Sequence, residues 1–406
     1  MKIHDFEDED DYFSFLHEQQ QEGASISQKE GETHDEYLKR LNLAYGYGPS
    51  ENIDEHNSGR NSKKNRKKNK GRFYPVHDDY GRFFQSYSYK PKEAKDYSSY
   101  DFLQDLVKIH NQYPASASQP NPFSLRAVYI IDILNKLGVR TTSDIFNHSS
   151  GKSLSWGWNN DSFSHKLLNI IAEPNQNTKS ELPAILFVAH HDVSNIHSEN
   201  AQDNSASVCN LLRLASIIQE KSMVELNMRR VVILFSDCEE TGTRGAKRMA
   251  DEIKTGKYGN VSEVINLELT GKGKIVWADY CSGYNNNNSP DKEKELAEKL
   301  KTCCPNNRLE KFSCPPNDAP SFRSSGLPAL CIGILPENDI QTHSTWRLCH
   351  SLTDTIEKCD EKDMTEFVEV LVKFVEETSS LPVKPEIIIK SNLEGPKILL
   401  IEEGKV

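Results

Sequence analysis

The sequence predicts an α/β fold, one globular domain with a mostly parallel central sheet flanked by helices on both faces. Three observations carry the prediction. Strand-length apolar segments alternate with helix-length amphipathic ones, as crossover connections require. The strand segments are continuously apolar, which is the pattern of strands buried on both faces. The chain's 36% hydrophobic residues are also unevenly distributed, gathering after about Tyr97 into short runs separated by turn residues.

Residues 1–95 are expected to form a disordered, charge-segregated leader. Asp5 to Asp11 is acidic at six of seven positions and Arg60 to Arg72 is basic at eight of thirteen. Blocks of like charge repel themselves and stay solvated. The basic block offers a weak, sequence-independent attraction to an anionic partner such as nucleic acid or an anionic surface, although a solvated tail without a dedicated partner is the simpler reading. With a net charge of −11 for the whole chain, nucleic-acid binding is excluded as the main activity.

Residues 96–380 are assigned to the globular domain. Phe102, Leu103, Leu106, Val107 and His110 fall at helical spacing over Ser99–His110, and a second helix follows at Leu125–Leu137. Strands are expected at Leu167–Ala172, Ile185–Val188, Val231–Phe235, Val264–Leu269, Lys274–Ala278 and Ala329–Leu335. Between and after them, helical patterns occupy Ser207–Ile218, Thr243–Ile253, Lys292–Leu300 and Met364–Val375. Residues 381–406 carry two short apolar runs around Asn392 and Gly395-Pro396, as a β-hairpin or a docking tail would.

Compartment follows from what these segments lack. Apolar runs such as Val231–Phe235 fall far short of the roughly 20 residues a membrane-spanning helix needs, so no membrane association is expected. The opening MKIHDFEDEDDYF is acidic where a secretory signal is basic and then apolar. Nine cysteines, an odd number without regular spacing, do not form a disulfide framework. A reducing, cytoplasmic setting is the simplest fit. Cys303, Cys304 and Cys314 lack the C-x2-C spacing of a structural zinc site and read as free thiols.

In open α/β sheets the chemistry gathers beyond the carboxyl ends of the strands, where loops converge. Four such places and one later loop carry conspicuous groups. ILFVAHHD ends in His190-His191-Asp192, where His190 binds a metal through one ring nitrogen if the carboxylate of Asp192 takes the other N–H; a histidine in a hydrogen-bonded turn fits equally when the pair is taken alone. AQDNSAS precedes an amphipathic helix, so Asp203 is either its cap or, given its company, a carboxylate able to bridge two cations. VVILFSDCEETG delivers Glu239 and Glu240 together; the reading assigns Glu240 to a metal and Glu239 to the general base. VINLEL puts Glu268 among apolar residues, where an unpaired carboxylate is costly and needs a cation or a proton. RLCHSLTDT supplies His350.

In order and text, AHHD, AQDNSAS, SDCEETG, INLEL and CHSLTDT resemble the co-catalytic zinc peptidase family of bacterial leucyl aminopeptidases and glutamate carboxypeptidase, over about Leu167 to Glu377. The resemblance implies two Zn2+ ions, His190 and Glu268 on one, Glu240 and His350 on the other, Asp203 bridging, Asp192 supporting and Glu239 as catalytic base. NDAPSFRSSGLPAL is similar to the family's stretch before a buried strand, with Asp318 and Phe322 at its typical positions. There are departures. Glu268 stands where many members have Asp, Ser205-Ala206-Ser207 replaces the commoner small-residue and glycine run, and Cys349 stands where some members have Tyr, so that no side chain is assigned to oxyanion stabilisation.

The function this implies is a zinc-dependent exopeptidase acting on a peptide or amino-acid-amide substrate, foremost an aminopeptidase. A carboxypeptidase or deacylase on the same site is the alternative. The stretch from Glu268 to His350 must already hold several family strands, which leaves no room for the lid domain of related carboxypeptidases. Single-zinc cyclases of this fold would not require both His190 and a bridging Asp203. A non-catalytic binding protein on the scaffold would have lost ligands, whereas the full set and the base are present here.

Overall fold

A computed structural model describes residues 93–112, 124–149, 164–224, 227–280, 290–312, 314 and 316–380. The runs at 5–11 and 60–72, Cys281 and the tail 381–406 lie outside them. The strands are β1 (Arg140–Ser149), β2 (Ser164–Glu173), β3 (Ala184–His190), β4 (Val231–Ser236), β5 (Val261–Leu267), β6 (Ile275–Asp279), β7 (Glu310–Lys311) and β8 (Ala329–Leu335). The helices are α1 (Ser99–Gln112), α2 (Leu125–Lys136), α3 (Ala206–Ser222), α4 (Arg244–Lys254), α5 (Pro290–Cys303), α6 (Ala319–Arg323), α7 (Asp339–Thr342) and α8 (Glu361–Ser379).

All eight strands join one sheet in the order β1-β2-β4-β3-β5-β8-β6-β7. The central β4, β3, β5 and β8 run parallel. Antiparallel pairing begins toward the edges, with β2 on β4, β1 on β2 and β6 on β8. Alternate residues of the central strands feed two cores. Ile185, Phe187 and Ala189 face the layer of α1, α2, α3, α5 and α8, while Ala184, Leu186 and Val188 face α4 and α6. Both faces being apolar, each fully buried large side chain contributes about 1.5–3 kcal/mol wherever it lands. Register is then fixed by the backbone ladder, which pairs His190 with Ser236 and so brings the ends of β3 and β4 level.

Several boundaries differ from the sequence-based expectation for identifiable reasons. Asp360 caps α8 by accepting from the Asp363 amide, starting that helix three residues before the expected Met364. Glu268 lies one residue past the end of β5 rather than within it. β1 has no counterpart among the expected strands. Its inward position is the polar Asp144, which meets Arg248 and Lys257, while Ile145 is exposed. The hydrophobic alternation that marks a half-buried strand is therefore missing.

Among the described residues, no helix is long and apolar enough to cross a membrane.

Candidate metal centre

The ends of β3, β4 and β5, the turn before α3 and the loop before α8 converge on one small acidic site. Asp203 lies at its middle, and its two carboxylate oxygens face different partners. Oδ1 is 3.2 Å from His190 Nε2, which is itself 3.6 Å from Glu268 Oε2. Oδ2 is 3.4 Å from His350 Nε2, which is 2.9 Å from Glu240 Oε2. The five expected ligands thus fall into two His–Glu pairs, one on each side of Asp203.

Backbone geometry explains how these side chains are aimed. His190 ends β3, and its Nδ1 lies 3.1 Å from the Asp192 carbonyl and 3.4 Å from Asp192 Oδ1. A proton on Nδ1 shared with that carbonyl leaves Nε2 free to bind a cation. The Asp192 carboxylate, expected to orient His190, mainly accepts the amides of Glu239 (3.1 Å) and Glu240 (3.3 Å), tying the β3 loop to the β4 turn. The neighbouring His191 is turned away, with Nε2 2.8 Å from the Leu168 carbonyl. Asp237 is likewise absorbed by the Leu168 amide. Gly245 closes the β4 turn because a Cβ there would lie 2.6 Å from the Asp237 amide nitrogen.

The turn carrying Asp203 departs from helical geometry at Asp203 (φ −112°) and Asn204 (φ −131°), and the peptide between them is cis. It is held from several directions. Asn204 donates to the Leu267 carbonyl, Gln202 accepts from the Gly271 amide, and Asp354 accepts from the amides of Gln202 and Asp203. Arg126 of α2, fully buried, donates through Nε to the His191 carbonyl and through Nη2 to Ser205 Oγ. Neither Asp354 nor Arg126 stands out in the sequence. Asp354 lies inside CHSLTDT, but nothing in composition separates it from a surface Asp, and Arg126 has the setting of an ordinary helix arginine.

The electrostatics of this site call for cations. Burial pushes the Glu239 carboxyl well above its usual range, with His190 opposing and Glu240, Asp318 and Glu268 reinforcing the rise. Glu268 is raised by burial, against the pull of His190. Burial likewise lifts Asp318 to about 7, opposed by its hydrogen bond from Ser236. Burial works against protonation of both histidines, yet Glu268, Asp192 and Asp203 hold His190 well above its normal value, and Glu240 carries His350 to about 9. Among the described residues no Lys or Arg pairs with Asp203, Glu240 or Glu268. Glu240 Oε1 is buried without a hydrogen-bond partner. Ligand atoms of His190, Asp203 and Glu240 all lie within 4.8 Å of one another. Buried imidazole and carboxylate donors with an unsatisfied oxygen fit a zinc site.

Comparison with known proteins gives the family and the fold. The profile of peptidase family M28 matches residues 169–375, just over half of the chain. No curated protein matches the sequence. Among solved structures, the glutaminyl cyclase of Porphyromonas gingivalis is 17% identical, with 69% of this chain covering 97% of that one at a TM-score of 0.51. The LapA aminopeptidase of Legionella pneumophila is also 17% identical, over 71% of this chain and 74% of its own, with a TM-score of 0.50. BSAP, a zinc aminopeptidase from Bacillus subtilis, is 13% identical over 71% and 95%, with a TM-score of 0.53. At such identities the structural likeness concerns the fold.

Proposed function

Because the chain belongs to peptidase family M28, we propose that it is a zinc-dependent exopeptidase, foremost an aminopeptidase, with a two-zinc site formed by His190, Asp203, Glu240, Glu268 and His350. The observation that carries the reading is the division of Asp203, with one oxygen toward His190 and Glu268 and the other toward His350 and Glu240. A carboxylate with one such pair on each side suits two ions rather than one. Bound zinc would supply Lewis-acid polarisation of the scissile carbonyl and make the attacking water easier to deprotonate.

The chain's own residues do the rest. Glu239 accepts the proton of the attacking water and returns it to the leaving amine as the C–N bond breaks. Burial and the neighbouring Glu240, Asp318 and Glu268 carboxylates favour proton uptake on Glu239, the direction a general base needs. Asp192 fixes the Glu239 and Glu240 amides side by side, so that one carboxylate serves as base while its neighbour serves as ligand.

The glutaminyl cyclase neighbours supply the competing reading, and one experiment separates the two. Purified protein is analysed for zinc, then assayed on an amino-acid amide and on a peptide with N-terminal glutamine. Zinc near two per chain and release of the N-terminal residue, both lost to a chelator, are expected. One zinc or fewer, or glutamine cyclisation without residue release, would refute the aminopeptidase assignment.

A further inference from the structure

We propose that Asp354 is a positioning residue for the metal centre, holding the bridging Asp203 and the terminal ligand His350 in register from the far side of the site. The proposal rests on the two-zinc reading. Asp354 is buried, and none of its hydrogen bonds or ion pairs among the described residues is with Lys or Arg. A carboxylate so placed is costly unless its oxygens are occupied. Here Oδ1 accepts from the Gln202 amide at 2.8 Å and Oδ2 from the Asp203 amide at 3.1 Å.

Those two amides need an outside acceptor. The chain enters the turn through Asn200 in the left-handed region (φ 49°) and leaves helical geometry at Asp203, so neither amide belongs to a regular helical ladder. The Asp354 backbone adds to the grip, its carbonyl accepting from Ser198 Oγ at 3.0 Å and from the Ala201 amide at 3.5 Å. Four donors between residues 198 and 203 thus converge on one residue.

That residue stands in the same loop as His350, four positions further on. The loop is tied to the same segment a second time, for Asn195 Nδ2 donates to the His350 carbonyl at 3.0 Å. Residues 195–203 and 350–354 therefore move as a unit, and the unit sets the 3.4 Å separation of Asp203 Oδ2 from His350 Nε2. Metal sites hold their function only when ligands stay within about half an ångström of the productive geometry. Loss of the Asp354 grip lets the two loops drift by that much while leaving every ligand side chain in the protein.

The test is zinc affinity of the full chain, measured by chelator competition well below the thermal transition, for the parent and Asp354→Asn. The amide turns one end toward an N–H it cannot accept from, and affinity is expected to fall about 10- to 100-fold, the usual cost of losing an outer partner of a ligand, with the near-ultraviolet circular dichroism unchanged. Affinity within twofold of the parent, with only a lowered melting temperature, would overturn the positioning role while leaving the zinc reading intact. A parent that binds no zinc would overturn both. If Asp354→Asn fails to fold, hydrogen exchange in the zinc-free parent decides: protected Gln202 and Asp203 amides are expected, and exchange at the rate of an open loop would overturn the proposal.

Discussion

Glu239→Gln and Glu240→Gln remove the same charge from adjacent residues, yet the geometry assigns them opposite consequences. Asp192 anchors both positions through backbone amides at 3.1 and 3.3 Å, so neither substitution disturbs the turn itself. At 239 the side chain makes no ion pair with either histidine among the described residues, and a glutamine of the same shape leaves the ligands in place while removing the only function proposed for it. Turnover should fall by about 10^2- to 10^4-fold, roughly 3–5 kcal/mol on the barrier, with zinc content unchanged. At 240 the carboxylate lies 2.9 Å from His350, and its second oxygen is buried without a partner. Glutamine there puts a poor ligand beside His350, so one of two zinc ions should be lost on gel filtration, with an affinity at least 10- to 100-fold weaker in that half of the site. Elemental analysis and hydrolysis of an amino-acid amide, measured on the same preparations, give both readouts. Loss of metal in Glu239→Gln with retention in Glu240→Gln would exchange the roles, and full activity in both would refute the peptidase mechanism.

Gly333→Ala places a Cβ 2.0 Å from the Glu268 carbonyl oxygen and 2.7 Å from the Trp277 ring, so about 1–3 kcal/mol of stability and part of the zinc affinity should be lost together in thermal and chelator titrations; an unchanged zinc affinity would show that Glu268 tolerates the shift. Arg126→Ala strips the donors from the His191 carbonyl and Ser205 and should cost roughly 2–4 kcal/mol by chemical denaturation. A loss under 1 kcal/mol would mean that water replaces the guanidinium. His110 is held neutral down to about pH 3 by burial, with Arg126 adding to the effect. Its folded pKa lies below its unfolded value, so the stability it contributes is present above about 6.5 and disappears as pH falls from there toward 3, at about 1.4 kcal/mol per unit. Denaturation of the parent and His110→Gln at pH 7 and 5 should show the variant losing less on acidification; equal losses would remove His110 from the acid sensitivity.

The central sheet was legible in the sequence because a strand buried on both faces has no alternative to continuous apolar composition, and Ala184–His190, Val231–Ser236 and Ala329–Leu335 are buried at every position. The edge was not. Inward Asp144 of β1 is satisfied by Arg248 and Lys257 from α4 and its neighbouring turn, a tertiary solution that leaves no periodic trace in Arg140–Ser149. Within the site, residue types at strand ends identified which side chains the fold brings together around Asp203. Of their supports Asp192 was expected, though as the partner of His190, and the backbone contacts of all three were hidden for a different reason. Asp192 acts on the Glu239 and Glu240 amides, Asp354 on those of Gln202 and Asp203, and Arg126 on a carbonyl. Bonds to backbone atoms are blind to the identity of the partner residue, so no pairing of side-chain types announces them.

The same distinction resolves the two doublets in the motifs. His190 and His191 are equivalent in chemistry, and either could hold a metal by composition alone. His190 is the last residue of β3, and the chain leaves the strand at His191. Pairing with Ser236 at the end of β4 sends the His190 ring toward Asp203, while His191 meets the Leu168 carbonyl of β2. Glu239 and Glu240 follow β4 in a turn rather than a strand, so no alternation rule applies to them. Their division depends on Asp192, which holds both amides, and on His350, which approaches Glu240 from a loop more than a hundred residues away. Residue type thus narrows each doublet to a chemistry, the end of the β3–β4 ladder decides the first, and only a long-range contact decides the second. For that reason the histidine assignment should survive any change that leaves the β3–β4 ladder intact, whereas the glutamate assignment depends on the placement of the His350 loop.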